Sequence, residues 1–159
     1  MSEIQIRMAS PRDARELVEF NRAMARETEA LELDPDTVAA GVRAMFDRPE
    51  RGFYVVADAG GRLAGSLMIT TEWSDWRSGL FWWIQSVYVH PEHRRRGVYR
   101  SLYRFVYALS GERPEVCGFR LYVEQENHRA QDTYRSLGMH RTRYLVYEAS
   151  TRDPDASAP

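Results

Sequence analysis

The chain contains no lysine: all 22 of its Lys and Arg positions are arginine, set against 23 Asp and Glu for a net charge of −1. Global charge therefore gives no pull toward nucleic acid or an anionic membrane, and any anion site has to be built locally. One cysteine, Cys117, excludes an internal disulfide framework and a cysteine-based zinc cluster. No histidine pair has metal-ligand spacing with a third ligand in view, so no metal is expected. No run approaches the ~20 apolar residues that cross a bilayer, and the opening Met-Ser-Glu-Ile-Gln-Ile-Arg lacks a signal-type apolar core. The expected location is cytoplasmic. Repeats and low-complexity tracts are absent as well.

What is present reads as one domain of ordinary size, residues 1–149, followed by an Asp, Pro, Ser and Ala-rich stretch, 150–159, expected to be a disordered tail. Alternation of apolar and polar residues predicts a strand over 3–8. Ser10-Pro11 with Asp13 then supplies the cap, first-turn proline and first-turn acid of a helix predicted over 11–31. Asp34-Pro35 starts a second helix running to Asp47. From Gly52 the period becomes two: strands are predicted over 53–58, 63–71 and 80–89, the first pair joined by Ala59-Gly60-Gly61. The run 80–89 is apolar on both faces, as in a central strand covered on both sides. A helix over 95–109, a strand over 119–123, a helix over 127–137 and a last strand over 140–148 complete the reading. The order β-α-α-β-β-β-α-β-α-β implies a mixed α/β fold, a central mixed sheet with helices on both faces. Three successive strands without intervening helices argue against a doubly wound nucleotide fold.

The junction of the central strand and the following helix carries the chemistry. A strand ending Val87-Tyr88-Val89 passes through His-Pro-Glu-His into Arg94-Arg95-Arg96-Gly97-Val98. The first turn of a helix offers backbone N–H groups and partial positive charge to an anion, and the arginines add full charges there. Gly97 lets the backbone approach a phosphate closely.

That run resembles the acyl-CoA motif of the GNAT superfamily of N-acetyltransferases, Gln/Arg-x-x-Gly-x-Gly/Ala. Downstream, Asn127, Ala130, Tyr134, Gly138 and Met139 are similar to the superfamily's Asn-x-x-Ala-x-x-x-Tyr followed by Leu-Gly-Phe, with Met139 in place of Phe. Two motifs in order, on matching elements, extend the resemblance over residues 3–148. It implies acetyl-CoA as cosubstrate and transfer of its acetyl group to a primary amine of a small molecule or peptide, by direct attack in a ternary complex. The backbone of Val87, Tyr88 and Val89 would pair with the pantetheine arm. The segment Arg94, Arg95, Arg96, Gly97, Val98, Tyr99 and Arg100 would hold the pyrophosphate, and Asn127 would touch the cofactor arm. Tyr134 would protonate the leaving thiolate, and a backbone N–H near Val87 would face the oxyanion.

Two positions depart from the pattern. Tyr99 stands where the signature has Gly or Ala, and its ring either crowds the pyrophosphate or points away. The central strand reads Trp82-Trp83-Ile84-Gln85-Ser86, without the glutamate that several members use as base; Gln85 orients a water at most. Glu27 and Glu72 are the acids chosen to attract a cationic amine, and Trp83 is a candidate wall of an aromatic acceptor pocket. The missing glutamate motivates an alternative, an acyl-CoA-binding sensor without transferase activity. A nucleic-acid role for the arginine run finds no support in the net charge, and exposed aromatics make a homodimer reasonable.

Overall fold

The computed structural model describes residues 3–152, which fall into two compact units, one through Tyr122 and one from Val123, each treated by itself below. The rest of the expected tail, 153–159, lies outside the described residues.

The first unit is a five-stranded mixed sheet. β1 (Gln5–Met8), β2 (Gly52–Asp58), β3 (Leu63–Ser74) and β4 (Gly79–Val89) are successive antiparallel neighbours. β5 (Val116–Arg120) runs parallel to β4, so β4 is a central strand, as its two-sided apolar pattern predicts. A 3-10 turn, Pro11–Asp13, leads into α1 (Ala14–Glu29), which stops short of Leu31 because Ala30 adopts a left-handed φ of 51°. α2 (Pro35–Asp47) starts at its proline, and Asp34 Oδ2 accepts the Thr37 N–H at 2.8 Å. α3 (Val98–Gly111) begins three residues later than the pattern predicts. Arg95 and Gly97 have φ of 63° and 74°, which a right-handed helix cannot include.

Strand alternation divides the core between the two sheet faces. Tyr54 and Val56 of β2 and Tyr88 of β4 pack with Leu17 and Phe20 of α1 and Val42 of α2. The opposite face meets α3. Gly65 belongs there, since a Cβ on it would lie 2.8 Å from Tyr88 O and 3.2 Å from Val98 Cγ1. The helix start is thus seated on bare backbone.

β5 ends at Arg120 rather than reaching Val123, because its ladder with β4 runs from Leu80↔Val116 to Trp83↔Arg120 and stops. In the second unit, α4 (His128–Ser136) is capped by Asn127, whose Oδ1 accepts the Ala130 N–H at 3.1 Å, and Gly138 follows with φ of 88°. Residues 139–150, which the pattern predicts as partly a strand, form no helix or strand. A strand exists only through a ladder partner, and the described sheet pairs none with this segment.

Candidate active site

The central strand is bent where chemistry was expected. Across β3 and β4, Ser66 faces Tyr88 while Met68 faces Gln85, so Ser86 and Val87 together oppose Leu67. This is a β-bulge, and Ser86 takes a left-handed φ of 49° to form it. Two consequences follow. The bulge leaves one backbone position out of the β3 ladder, a donor that can be aimed elsewhere. It also lies beyond the last β5 partner, Trp83, so residues 84–89 of β4 have no strand beside them on the β5 side. The sheet offers there the backbone edge an extended ligand arm requires.

Beyond Val89 the chain turns through Pro91–His93 and the arginine run into α3. Gly97 heads the helix, and a Cβ built on it meets nothing within 4 Å, so the space over the helix start is open. Arg94 is committed differently from its neighbours. Its Nε donates to Val89 O at 2.9 Å, its Nη2 reaches Glu27 Oε2 at 2.7 Å, and its guanidinium lies 5.6 Å from the centre of the Tyr88 ring. Tyr88 OH donates to the other carboxylate oxygen, Glu27 Oε1, at 3.0 Å. Burial and this acceptor raise the Tyr88 phenol above its ordinary value. Glu27 therefore joins α1 to the strand and loop of the anion site and has both oxygens engaged.

Tyr99 is half-buried, and its ring sits 6.5 Å from Tyr103, which sits 6.3 Å from Tyr107. The i,i+4 spacing makes a ring ladder along α3, and Tyr99 is its first rung.

A second constellation lies further along the same sheet face. The register sets Thr70 opposite Trp83, Glu72 opposite Phe81, and Trp83 beside Arg120. Arg120 Nη1 pairs with Glu72 Oε1, and its guanidinium stacks over Phe81 at 3.7 Å from the ring centre. Trp83 is half-buried with its ring 6.2 Å from that of Tyr122, and the Gln85 amide donates to Thr70 Oγ1. Glu72 faces Phe81, five residues along β4 from Ser86, roughly 16 Å at ~3.3 Å per residue. It is remote from the bulge. Arg120, Phe81, Thr70 and Ser86 were invisible in the sequence as site residues. Their roles arise from register and from one bulge, neither of which residue type announces.

In the second unit, Asn127 caps α4, and Tyr134 is half-buried on that helix. Burial raises the Tyr134 phenol, which keeps it protonated and able to donate at neutral pH. Among the described residues no group of three His, Cys, Asp or Glu is placed to hold a metal, and no helix is long and apolar enough to cross a membrane.

A bulged central strand that outruns its parallel neighbour and leads into a glycine-headed helix gives this mixed α/β fold an open backbone edge beside an anion site. The model of the acetyltransferase (GNAT) family matches residues 15–139, and the chain belongs to that family. Among solved structures it is similar to a possible acetyltransferase from Clostridium difficile 630, with 40% identity, 94% of this chain and 99% of that one covered, and a TM-score of 0.87. The fold is shared at 14% identity with a predicted acetyltransferase from Clostridium acetobutylicum solved with acetyl-CoA, covering 92% and 96% of the two chains with a TM-score of 0.76. It is shared at 17% identity with AAC(6')-Iy in complex with a CoA-linked bisubstrate analogue, covering 94% and 99% with a TM-score of 0.74.

Proposed function

We propose that this protein is an acetyl-CoA-dependent N-acetyltransferase acting in the cytoplasm on a primary amine of a small molecule or peptide, by direct attack in a ternary complex. The observation that carries the reading is the bulge at Ser86 and Val87, which frees a β4 edge directly upstream of a helix start with open space over Gly97. When bound, acetyl-CoA supplies an acyl thioester, and transfer forms a C–N bond as the C–S bond breaks. The backbone of Val87, Tyr88 and Val89 holds the pantetheine arm by strand-like pairing. The segment from Arg95 through Gly97, Val98 and Tyr99 to Arg100 holds the pyrophosphate with backbone donors and the three guanidinium charges of Arg95, Arg96 and Arg100. Arg94 fixes the loop through Glu27 rather than adding a fourth.

The bulge donor faces the charge developing on the acyl oxygen. Tyr134, kept protonated by burial, gives its proton to the departing sulfur; this role and that of Asn127 at the cofactor arm rest on the family motif. The amine proton leaves through water ordered by Gln85 and Thr70. Trp83, with Tyr122, offers the acceptor an aromatic wall, while Glu72 contacts only the far end of a long acceptor.

The test is thiol release from acetyl-CoA over a panel of amines, polyamines, amino acids and N-terminal peptides, with the acetylated product identified by mass. At least one acceptor should turn over, and Tyr134→Phe should lower kcat by roughly 10²-fold while leaving the Kd for CoA unchanged. Tight CoA binding with no turnover on any acceptor would replace the enzyme by the sensor.

A further inference from the structure

The sheet face leading away from the bulge carries a charge that no step of the proposed chemistry uses. Phe81, Trp83 and Gln85 alternate along β4 and so share one face, with Thr70 and Glu72 opposite Trp83 and Phe81 on β3 and Arg120 beside Trp83 on β5. All belong to the first unit. From the bulge outward this track changes in steps: the hydrogen bond between Gln85 and Thr70, then the rings of Trp83 and Tyr122, then Phe81. The Phe81 ring receives two guanidinium groups. Arg120 stacks 3.7 Å from its centre, and Arg77, from the turn between β3 and β4, lies at 5.0 Å. A Cβ on Gly118, beside Phe81 on β5, would stand 3.0 Å from the ring Cε1, so the ring rests against bare backbone.

The two positive charges on this ring are unequally compensated. Glu72 pairs with Arg120, whereas among the described residues Arg77 makes no ion pair. Asp75, in the same turn, gives its Oδ1 to the Trp76 N–H at 2.9 Å and pairs with neither arginine. The far end of the track thus presents a guanidinium drawn onto an aromatic face with its charge unmatched, and the planar fork of that group suits a carboxylate.

We propose, resting on the transferase reading above, that the acceptor is an extended peptide whose N-terminal amine reaches the bulge and whose fourth or fifth residue carries a carboxylate held by Arg77. Length selects this class. Five residues of β4 separate Ser86 from Phe81, and an extended peptide covers that span of roughly 16 Å with four to five residues at ~3.3 Å each. A single amino acid or short amine falls well short of it. Charge sets the other long amines aside: a polyamine would bring a second ammonium against Arg77, while Glu72 is already engaged by Arg120. The residues in between pass over Trp83 and Tyr122, which offer apolar contact to any side chain.

The test compares the peptide amides Ser-Ala-Ala-Asp-Asp-Ala, Ser-Ala-Ala-Asn-Asn-Ala and Ser-Ala-Ala-Arg-Arg-Ala, with Ser-Asp-Asp-Ala-Ala-Ala as the position control and spermine as the polyamine, by thiol release from acetyl-CoA with the full chain. The Asp-Asp peptide should have a KM about fivefold below that of the Asn-Asn peptide at equal kcat, the size of a charge-assisted contact screened by solvent. Arg77→Ala should abolish the difference, and Arg77→Glu should transfer the preference to the Arg-Arg peptide, with the Kd for CoA unchanged in both by calorimetry. Such a reversal is beyond what a merely structural role of Arg77 produces. Equal KM for the Asp-Asp and Asn-Asn peptides, the same advantage with the acids next to the N-terminal residue, a preference that survives Arg77→Glu, or better turnover of spermine than of any peptide would overturn the proposal and leave the transferase standing. Bound CoA with no turnover of any acceptor would overturn the transferase reading, and this proposal with it.

Discussion

Glu27 has both carboxylate oxygens engaged by the strand and loop of the proposed anion site. Sequence position on the first helix marks it as a magnet for a cationic amine, but its oxygens are divided between Tyr88 OH at 3.0 Å and Arg94 Nη2 at 2.7 Å. Its effect should then fall on the phosphate loop. Glu27 and Arg94 each expose about two-fifths of their side chains, 42% and 41%, so solvent screens the pair and its worth is about 1 kcal/mol. Glu27→Gln is expected to weaken CoA binding about fivefold by calorimetry. If the carboxylate instead served the amine, CoA affinity would stay constant and the acceptor KM alone would rise.

At the scale of elements, α3 depends on the residue that caps its start. Gly97 holds φ at 74°, and replacing it by alanine costs about 1–2 kcal/mol of backbone strain with no side-chain clash, since nothing lies within 4 Å. Gly97→Ala should lower Tm by about 2–4 °C for each kcal/mol, measured by calorimetry, without loss of cooperativity. This strand-turn-helix junction was legible in the sequence because its parts have residue signatures, a two-sided apolar strand, a proline turn and a 3.6-period helix, although the pattern set Gly97 within the helix where it in fact precedes it. The bulge within that strand was not, because Ser86 is an ordinary strand-compatible residue whose left-handed φ of 49° residue type does not announce. The ends of β5 and of the 139–150 segment were misjudged for a related reason. Leu121, Val123 and Tyr144 to Tyr147 have strand composition, but composition alone makes no ladder, and the β4–β5 pairing stops at Trp83 and Arg120. The Glu72 to Arg120 pair joins residues 48 positions apart, a relation only register supplies.

At the scale of the whole molecule, stability in acid is governed by a cluster remote from the proposed chemistry. Arg7 on β1 donates to Asp13 Oδ2 at 2.8 Å and Oδ1 at 2.9 Å, and to Asp58 Oδ2 at 2.9 Å and 3.1 Å, joining the sheet edge to the turn that opens α1. Asp58 Oδ1 also accepts the Gly61 N–H at 2.7 Å, and Asp13 Oδ2 accepts the Ser10 N–H at 2.8 Å. The Arg7 hydrogen bond holds Asp13 below its ordinary 3.8. The Gly61 amide, then Arg7, holds Asp58 below the same value. Arg7 itself is raised and stays charged. For carboxylates depressed in the folded state, the unfolded chain binds more protons in the window between the folded pKa and 3.8, so stability rises with pH there. Their contribution is complete above about pH 5 and is lost as pH falls through the folded values. Arg7→Ala leaves Asp13, with only 6% of its side chain exposed, as a charge without its partner. The cost should be about 3 kcal/mol at pH 7, the lower end for breaking a buried pair, because Arg7 keeps 19% of its side chain in water. The same variant should lose less stability than the parent between pH 5 and pH 3, since the main cause of the Asp13 depression goes with the guanidinium while the Gly61 amide still holds Asp58 down. Urea titrations across that range decide it: parallel pH profiles for parent and variant would show that the acid sensitivity resides elsewhere in the molecule.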